Sequence, residues 1–272
     1  MIDINAANIE VHSKMAAVYN EREPHFKPEN QAKVKNVLQS LRCLSGDRLL
    51  DLGCGTGFII NLALDLFDHI HGVDITQPML DRIDLSSGKI TIHNTSAEST
   101  PYQDGFFDLV TAYAFLHHLK DYTGVLREAY RVLKPGGYVY IDLEPNKYFW
   151  DNVSQFAGCH DPGYSGMVKR EIDSVCYTGE RVYDEFGIAK EVFDAAEYLK
   201  STLGGIDPDK FEADALAAGF SECRVTYQWY AGQGKVLHEQ SAQDAAVVED
   251  YLREILPLSR GLFKYLQFIL KK

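Results

Sequence analysis

The stretch that decides the fold is Leu49-Leu50-Asp51-Leu52-Gly53-Cys54-Gly55-Thr56-Gly57, in which an apolar strand runs into three glycines spaced two residues apart. A helical pattern begins directly after it, at Phe58. Glycine is needed where the backbone turns with a positive φ or approaches a ligand closely, and the free N–H groups of a helix start attract polar or negative ligand atoms. The stretch therefore predicts a loop that holds a nucleotide-like ligand.

Short apolar runs alternate with longer amphipathic runs from about residue 48 onward. This alternation is typical of βαβ units, in which helices connect the strands of a mostly parallel sheet. We predict an α/β fold with a doubly wound, mostly parallel, seven-stranded sheet and a mostly helical lid insertion. The predicted strands are 48–52, 70–75, 89–93, 107–113, 137–143, 223–229 and a short one near Val236, and the predicted helices lie near 58–67, 77–84, 121–133 and 208–218.

The predicted organisation is one elaborated domain with an insertion and additions at both ends. Segment 146–205 interrupts the alternation because it is rich in tyrosine and phenylalanine and broken by glycines, so we interpret it as an insertion over the ligand edge of the sheet. The predicted units are an N-terminal helical cap (1–45), a ligand-binding α/β core (46–145), the lid or substrate insertion (146–205), the end of the core sheet (206–240) and a C-terminal helical extension (241–272). The end of this extension is apolar with scattered basic residues; it could dock on the core, join a homodimer or lie at a membrane interface, and we expect docking.

The overall composition disfavours several classes of partner. A formal net charge of -12 opposes contact with nucleic acid, whose binding depends largely on lysine and arginine displacing counterions. The five cysteines are odd in number and show no C-x-x-C pairing, which disfavours a disulfide framework or a zinc knuckle. We find neither a signal-peptide pattern nor an apolar run near the roughly 18 residues of a membrane span, so we predict a cytoplasmic protein without a transmembrane segment.

Candidate binding residues follow the strands, because ligands of an open parallel sheet bind beyond the carboxyl ends of its strands. Asp51 ends the first strand, where it could accept hydrogen bonds from the amides of the glycine loop. Asp74 ends the second strand, about twenty residues after the loop, where a carboxylate can accept hydrogen bonds from both hydroxyls of a ribose. The residues after the third and fourth strands complete the set: Ala97, Glu98, Ala112, Tyr113 and His117.

The spacing of the glycines discriminates between cofactors. A dinucleotide-binding fingerprint reads G-x-G-x-x-G, but Phe58 stands where that fingerprint has its third glycine. The order D-x-G-x-G-x-G over 51–57, followed by Asp74, closely resembles the first two motifs of the class I S-adenosylmethionine-dependent methyltransferases. The resemblance continues through Phe106-Phe107-Asp108-Leu109-Val110, His117-His118-Leu119 and the segment 126–137, and covers about residues 45–143.

This resemblance implies a Rossmann-like methyltransferase fold and S-adenosylmethionine as the cofactor. It also implies that the glycine loop approaches the methionine moiety and the ribose, and that Asp74 holds the ribose hydroxyls. A tyrosine of the N-terminal segment closes over the cofactor in this family, although packing within a helix would explain Tyr19 equally well. The implied cofactor contacts are Tyr19, Asp51, Gly53, Cys54, Gly55, Gly57, Asp74, Ile75, Ala97, Glu98, Ala112 and Tyr113.

The histidines after the fourth strand raise the questions of a metal and of a catalytic base. Adjacent residues do not share one face, and we find no other His/Cys/Asp cluster with His117 and His118, so no metal site is predicted. His117 is a candidate general base, and His160 in the insertion is a second one, while lining a pocket or lying at the surface would explain either residue.

Two functions remain open from the sequence. The first is methyl transfer from S-adenosylmethionine to an O, N or C atom of a small or medium-sized organic acceptor, with S-adenosylhomocysteine as product. The alternative is a non-catalytic S-adenosylmethionine-binding regulatory module that acts through a protein partner. The glycine spacing disfavours a third class, the nucleotide-dependent oxidoreductases.

Overall fold

The computed structural model describes residues 2–155, 165–176 and 178–272. Within these residues, seven strands form one sheet. The strands are β1 (Arg48–Leu52), β2 (His69–Asp74), β3 (Ile90–Asn94), β4 (Phe107–Tyr113), β5 (Leu133–Pro145), β6 (Glu222–Tyr230) and β7 (Phe263–Lys271). Their spatial order is β3-β2-β1-β4-β5-β7-β6, with β1 to β5 parallel and β7 antiparallel to both of its neighbours.

Helices cover both faces and one edge of this sheet. They are α1 (Ile4–Met15), α2 (Tyr19–Arg22), α3 (Pro28–Ser45), α4 (Phe58–Ala63), α5 (Gln77–Leu80), α6 (Thr123–Val132), α7 (Lys147–Ser154), α8 (Gly166–Cys176), α9 (Thr178–Phe186), α10 (Lys190–Ala196), α11 (Tyr198–Leu203), α12 (Pro208–Ala217), α13 (Gln233–Glu239) and α14 (Ala242–Glu254). Short 3-10 helices lie at Pro24–Phe26, Leu116–His118 and Arg260–Leu262. No helix in the described ranges is both long enough and apolar enough to cross a membrane.

An apolar layer lies on each face of the sheet, and the central strand β1 contributes to both layers. Leu50 packs with residues of α6 and α12 on one face, whereas Leu49 packs with residues of α3 and α4 on the other. Both side chains are fully buried. Successive side chains of a strand point to opposite faces, so a strand covered on both sides reads as a continuous apolar run.

The order of the strands positions the site. Chain connections from β1 lead to β2 and β3 on one side, and the chain then returns to β4 and β5 on the other side of β1. In a doubly wound sheet this reversal opens a crevice beyond the carboxyl end of the central strand. The glycine loop Gly53–Gly57 follows β1 at this point.

The predicted α/β class and the mostly parallel, seven-stranded sheet are confirmed, but the seventh strand is not where we predicted it. The segment near Val236 is helical because Gly232 starts α13, with its carbonyl accepting a hydrogen bond from the amide of Lys235 at 2.9 Å. The core sheet therefore does not end within 206–240.

The predicted C-terminal helical extension, 241–272, is also wrong in its second half. Residues 242–254 form α14, but Phe263–Lys271 form β7, which inserts between β5 and β6. A strand buried on both faces has no strict alternation, and its apolar run cannot be distinguished from a buried helix by periodicity alone.

A third, smaller apolar cluster lies outside the sheet. Ala7 and Val11 of α1 pack there against Val182 of α9 and against Phe193 and Ala196 of α10. Helix α1 is thus joined to α9 and α10 by a core of its own, and the division into a cap and a lid insertion stays a prediction.

Candidate active site

The glycine loop has the backbone that the sequence predicted. Gly53 and Gly55 adopt φ angles of 68° and 50°, in the left-handed region that side chains rarely occupy. A Cβ atom on Gly53 would lie 2.1 Å from the Phe115 ring, so only glycine fits beneath that ring. The amides of Gly53 and Cys54 both donate to the carbonyl of Val73, which ties the loop to the end of β2.

Asp74 holds the glycine loop against β2. Its Oδ2 accepts the amide of Gly55 at 2.9 Å, and its Oδ1 accepts the amide of Thr76 at 2.7 Å. A carboxylate offers about four acceptor positions, so these two bonds leave capacity for further donors. The predicted ribose contact thus remains compatible with the geometry and stays a prediction.

Asp51 does not accept the amides of the glycine loop, so that prediction is wrong. Its Oδ1 accepts the Thr111 hydroxyl at 2.7 Å, and the loop amides go to Val73 and Asp74 instead. The side chain is 2% exposed, and burial raises the pKa of Asp51 to about 8 although the hydrogen bond from Thr111 lowers it. Asp51 is therefore a buried carboxyl beside the loop, whose ionisation any cationic ligand group nearby would promote.

Two adjoining cavities lie at this edge of the sheet. The smaller, about 80 Å³, is lined by Tyr19, Asp51, Gly53, Cys54, Gly55, Asp74, Ile75 and Tyr113 among the predicted residues. The larger, about 870 Å³, is lined by Gly53, Asp74, Ile75, Ala97 and Glu98. Phe115 borders both, and Gly57 and Ala112 border neither. Most of the predicted cofactor residues thus line one crevice formed by these two adjoining cavities.

Tyr19 begins α2 and lines the smaller cavity. Its ring lies 6.2 Å from that of His12 and 6.0 Å from that of His25, centroid to centroid. Burial, and then the negative charges of Glu23 and Glu197, raise the pKa of Tyr19 well above its usual value. The phenol is therefore neutral and can donate or accept a hydrogen bond at the crevice.

His117 is held by a buried carboxylate that the sequence analysis missed. Glu144, at the end of β5, is fully buried and accepts the backbone amides of Phe115, Leu116 and His117. Its Oε2 also lies 2.9 Å from Nδ1 of His117. Because a carboxylate only accepts, the proton of the neutral imidazole belongs on Nδ1, which leaves Nε2 as an acceptor.

The start of α11 brings a second charged pair to the other side of the imidazole. Oε2 of Glu197 lies 3.9 Å from Nε2 of His117 and 2.8 Å from Nζ of Lys200. Burial alone would lower the pKa of His117, but the charges of Glu144 and Glu197 outweigh it, so the pKa is raised above 6.5. His117 therefore holds a proton more readily than a free imidazole does, inside a buried array of charges.

The reasoning that adjacent histidines cannot share a face is wrong here. The 3-10 helix brings the rings of His117 and His118 to 4.2 Å, and their ligand atoms and that of Glu197 all lie within 4.8 Å of one another. Lys200 already places a cation against Glu197, at 2.8 Å. We retain the prediction that no metal is used.

The other candidate base, His160, lies outside the described residues. Of the residues that the sequence analysis missed, Glu144 directly follows a predicted strand, and the rule that ligands bind beyond strand ends could have found it. Glu197 and Lys200 carry no such signal, because only the fold brings them to His117, which lies 80 and 83 positions away from them in the chain.

A central segment of the chain matches a known family of domains. Residues 50–141 match the family model described as "Methyltransferase domain". Over 100 residues the chain is 37% identical to the 27-O-demethylrifamycin SV methyltransferase of Amycolatopsis mediterranei, covering 34% of this chain and 37% of that protein. It is 29% identical over 147 residues to the ubiquinone biosynthesis O-methyltransferase of Bordetella pertussis, covering 51% and 61%.

A solved structure shows the same fold over the whole chain. The phosphoethanolamine N-methyltransferase 2 of Haemonchus contortus, in complex with phosphomonomethylethanolamine and S-adenosylhomocysteine, superposes with a TM-score of 0.57 at 15% identity, covering 100% of this chain and 60% of that one. Residues 50–141 thus match a methyltransferase domain, in agreement with the resemblance predicted from the sequence, and the chain shares the fold of the superposed structure. It spans just over a third and about three fifths of the two curated relatives described above.

Proposed function

We propose that this chain transfers the methyl group of S-adenosylmethionine to a small or medium-sized organic acceptor. The observation that carries the proposal is the convergence of the glycine loop and Asp74 on one crevice, within a segment that matches the methyltransferase family. The names of the curated relatives, which act on rifamycin and ubiquinone precursors, support an organic acceptor of this size. The net charge of -12 argues against a nucleic acid.

The residues of the crevice fit the cofactor. The glycine loop lets a ligand approach its backbone closely and offers amide groups to it. Asp74 can still accept hydrogen bonds from hydroxyl groups of the ligand. S-adenosylmethionine, when bound, supplies a methyl group that its sulfonium already activates. The task of the protein is then to align the acceptor and exclude water, which proximity and enclosure achieve.

We further propose that His117 is the general base and that the acceptor atom is a hydroxyl oxygen. Nε2 of His117 has no hydrogen-bond partner among the described residues, with Oε2 of Glu197 at 3.9 Å, and it can take a proton while the carboxylate of Glu144 stabilises the imidazolium that forms. A neutral amine would not need such a base, whereas a hydroxyl gains nucleophilicity when its proton is removed. The O-methyltransferase named among the relatives supports oxygen as the acceptor atom.

The test is turnover by the purified chain. S-adenosylmethionine is incubated with matched phenols, alcohols and amines, and S-adenosylhomocysteine is measured by mass spectrometry. We expect product with at least one hydroxyl compound, and slower turnover in His117→Ala with unchanged cofactor affinity. Turnover of the matched amine alone, unaffected by His117→Ala, would overturn the base and the oxygen acceptor. Cofactor binding without turnover of any compound would favour the regulatory module.

A further inference from the structure

Helix α1 has two different faces that contact the rest of the protein. Its apolar face, with Ala7 and Val11, packs against the helical insertion. Its polar face carries Asn5, Asn8 and His12, spaced three and four residues apart, and all three line the smaller cavity beside the glycine loop. Residues at this spacing share one side of a helix. A cap that served only as a cover would have no need of three polar side chains on the side that faces the crevice.

Asn8 is the buried member of this polar face, and it is only half satisfied. The side chain is 6% exposed. Its Nδ2 donates to the carbonyl of Ile4 and to the carbonyl of His118, both at 3.0 Å. Its Oδ1 is buried and has no hydrogen-bond partner among the described residues. A buried acceptor without a partner costs free energy, so such atoms in native structures call for an explanation.

The orientation of the amide is fixed by its neighbours. Both hydrogens of Nδ2 face carbonyl oxygens, which can only accept. A flipped amide would place its oxygen against those two carbonyls and lose both bonds. The unpartnered atom is therefore the acceptor oxygen, and the group that would satisfy it must be a donor.

We propose that Asn8 is a cofactor-binding residue whose Oδ1 accepts a hydrogen bond from a donor of the bound cofactor, a ribose hydroxyl or the ammonium of the methionine moiety. This inference rests on the proposed function, since it takes the crevice to be the cofactor site. Asn8 then does two things at once. Its Nδ2 donates to the carbonyl of His118 and so holds α1 against the loop that carries His117 and His118. Its Oδ1 accepts a hydrogen bond from the cofactor. Binding of the cofactor and the docking of α1 are therefore linked.

The test is calorimetric binding of S-adenosylhomocysteine to the wild-type chain and to Asn8→Ala. We expect the dissociation constant to rise about tenfold or more in Asn8→Ala, the scale of a buried hydrogen bond lost. Asn36→Ala replaces an exposed asparagine of another helix, away from both cavities, and should bind as the wild type does. Val11→Ala loosens the apolar face of α1 without touching its polar face.

The variants separate a ligand contact from mere support of the helix. If Asn8 only holds α1 in place, Asn8→Ala and Val11→Ala should weaken binding equally for an equal loss of melting temperature without ligand, and the proposal fails. It also fails if Asn8→Ala binds as the wild type does. Greater weakening in Asn8→Ala supports the proposal. No binding by the wild-type chain would instead contradict the proposed function.

A second ligand identifies the donor. 5′-Methylthioadenosine has the ribose and the adenine but no ammonium group. Weakening of both ligands by the same factor in Asn8→Ala assigns the bond to the ribose. Weakening of S-adenosylhomocysteine alone assigns it to the ammonium.

Discussion

Nδ1 of His117 lies 2.9 Å from Oε2 of Glu144, a carboxylate that also accepts three consecutive backbone amides of the same loop. The three amides therefore hold the carboxylate in place. The carboxylate in turn fixes the tautomer of the imidazole. Glu144 acts through His117, so we regard it as a positioning residue.

The pH dependence of turnover should report on this pair. The base must be unprotonated, and the charges of Glu144 and Glu197 raise the pKa of His117 above 6.5. We expect kcat/KM to rise with pH and to reach half its maximum above pH 6.5. Removal of the charge in Glu144→Gln should lower the pKa of His117 and move this midpoint to lower pH. A midpoint that does not move would contradict the coupling, whatever the loss in rate.

Loss of the imidazole should affect the rate more than binding. General bases contribute about 10²–10⁴-fold to rates, so we expect His117→Ala to lower kcat within that range. The dissociation constant of S-adenosylhomocysteine should stay within a factor of about two to three, the ordinary spread of such effects. His69→Gln, at an exposed histidine on the amino-terminal side of β2, is the control. Equal rates for His117→Ala and the control would exclude His117 as the base.

Asp74→Ala should weaken cofactor binding. We expect a loss of about 1.5–3 kcal/mol, the scale of a hydrogen bond to a charged group, because the variant removes the proposed ribose contact and the anchor of the Gly55 amide. Asp84→Ala is a matched control, since Asp84 also accepts the amide of the second residue after it but is exposed and away from the cavities. An unchanged dissociation constant in Asp74→Ala would show that the ribose assignment is wrong.

Two glycines with nearly the same φ angle allow the cost of backbone strain to be measured separately from the cost of a crowded Cβ position. Gly53 and Gly88 have φ angles of 68° and 69°, but a Cβ on Gly53 would meet the Phe115 ring, whereas one on Gly88 would meet nothing within 4 Å. Both alanine variants should lose about 1 kcal/mol of unfolding free energy from the backbone. Only Gly53→Ala should also lose affinity for S-adenosylhomocysteine. Equal affinities in the two variants would argue that the glycine loop does not contact the cofactor.

Asp51 should make stability depend on pH. Its folded pKa of about 8 lies above the unfolded value, so between about pH 4 and pH 8 the folded state binds more protons and stability falls as pH rises. Asp51→Asn removes the titration. As the pH rises, its unfolding free energy relative to wild type should therefore increase by up to about 1.4 kcal/mol per pH unit over that range. Chemical denaturation at pH 5 and pH 8, with exposed Asp250→Asn as control, tests this. A difference that is constant with pH would contradict the burial of a neutral carboxyl.

The parts of the fold that the sequence predicted are those specified by local patterns. β1 and β4 lie as predicted, because apolar runs bounded by turn residues mark buried strands. β7 was missed because it lies between two other strands and is covered on both faces. Its sequence is therefore a continuous apolar run, which resembles that of a buried helix.

The site divides in the same way. The glycine loop and Asp74 follow from spacing along the chain. The contact between His117 and Glu197, and that between Asn8 and the carbonyl of His118, join segments that only tertiary packing brings together. No local pattern indicates such contacts, so they could not be read before the fold was known.

The most direct test of the central claim is a calorimetric titration of the purified wild-type chain with S-adenosylhomocysteine, with NADH as the comparison ligand. We predict saturable binding of one S-adenosylhomocysteine per chain and no saturable binding of NADH. Absence of S-adenosylhomocysteine binding by the folded protein, or tighter binding of NADH, would contradict the assignment of the glycine loop and Asp74 to a methyl-donor site.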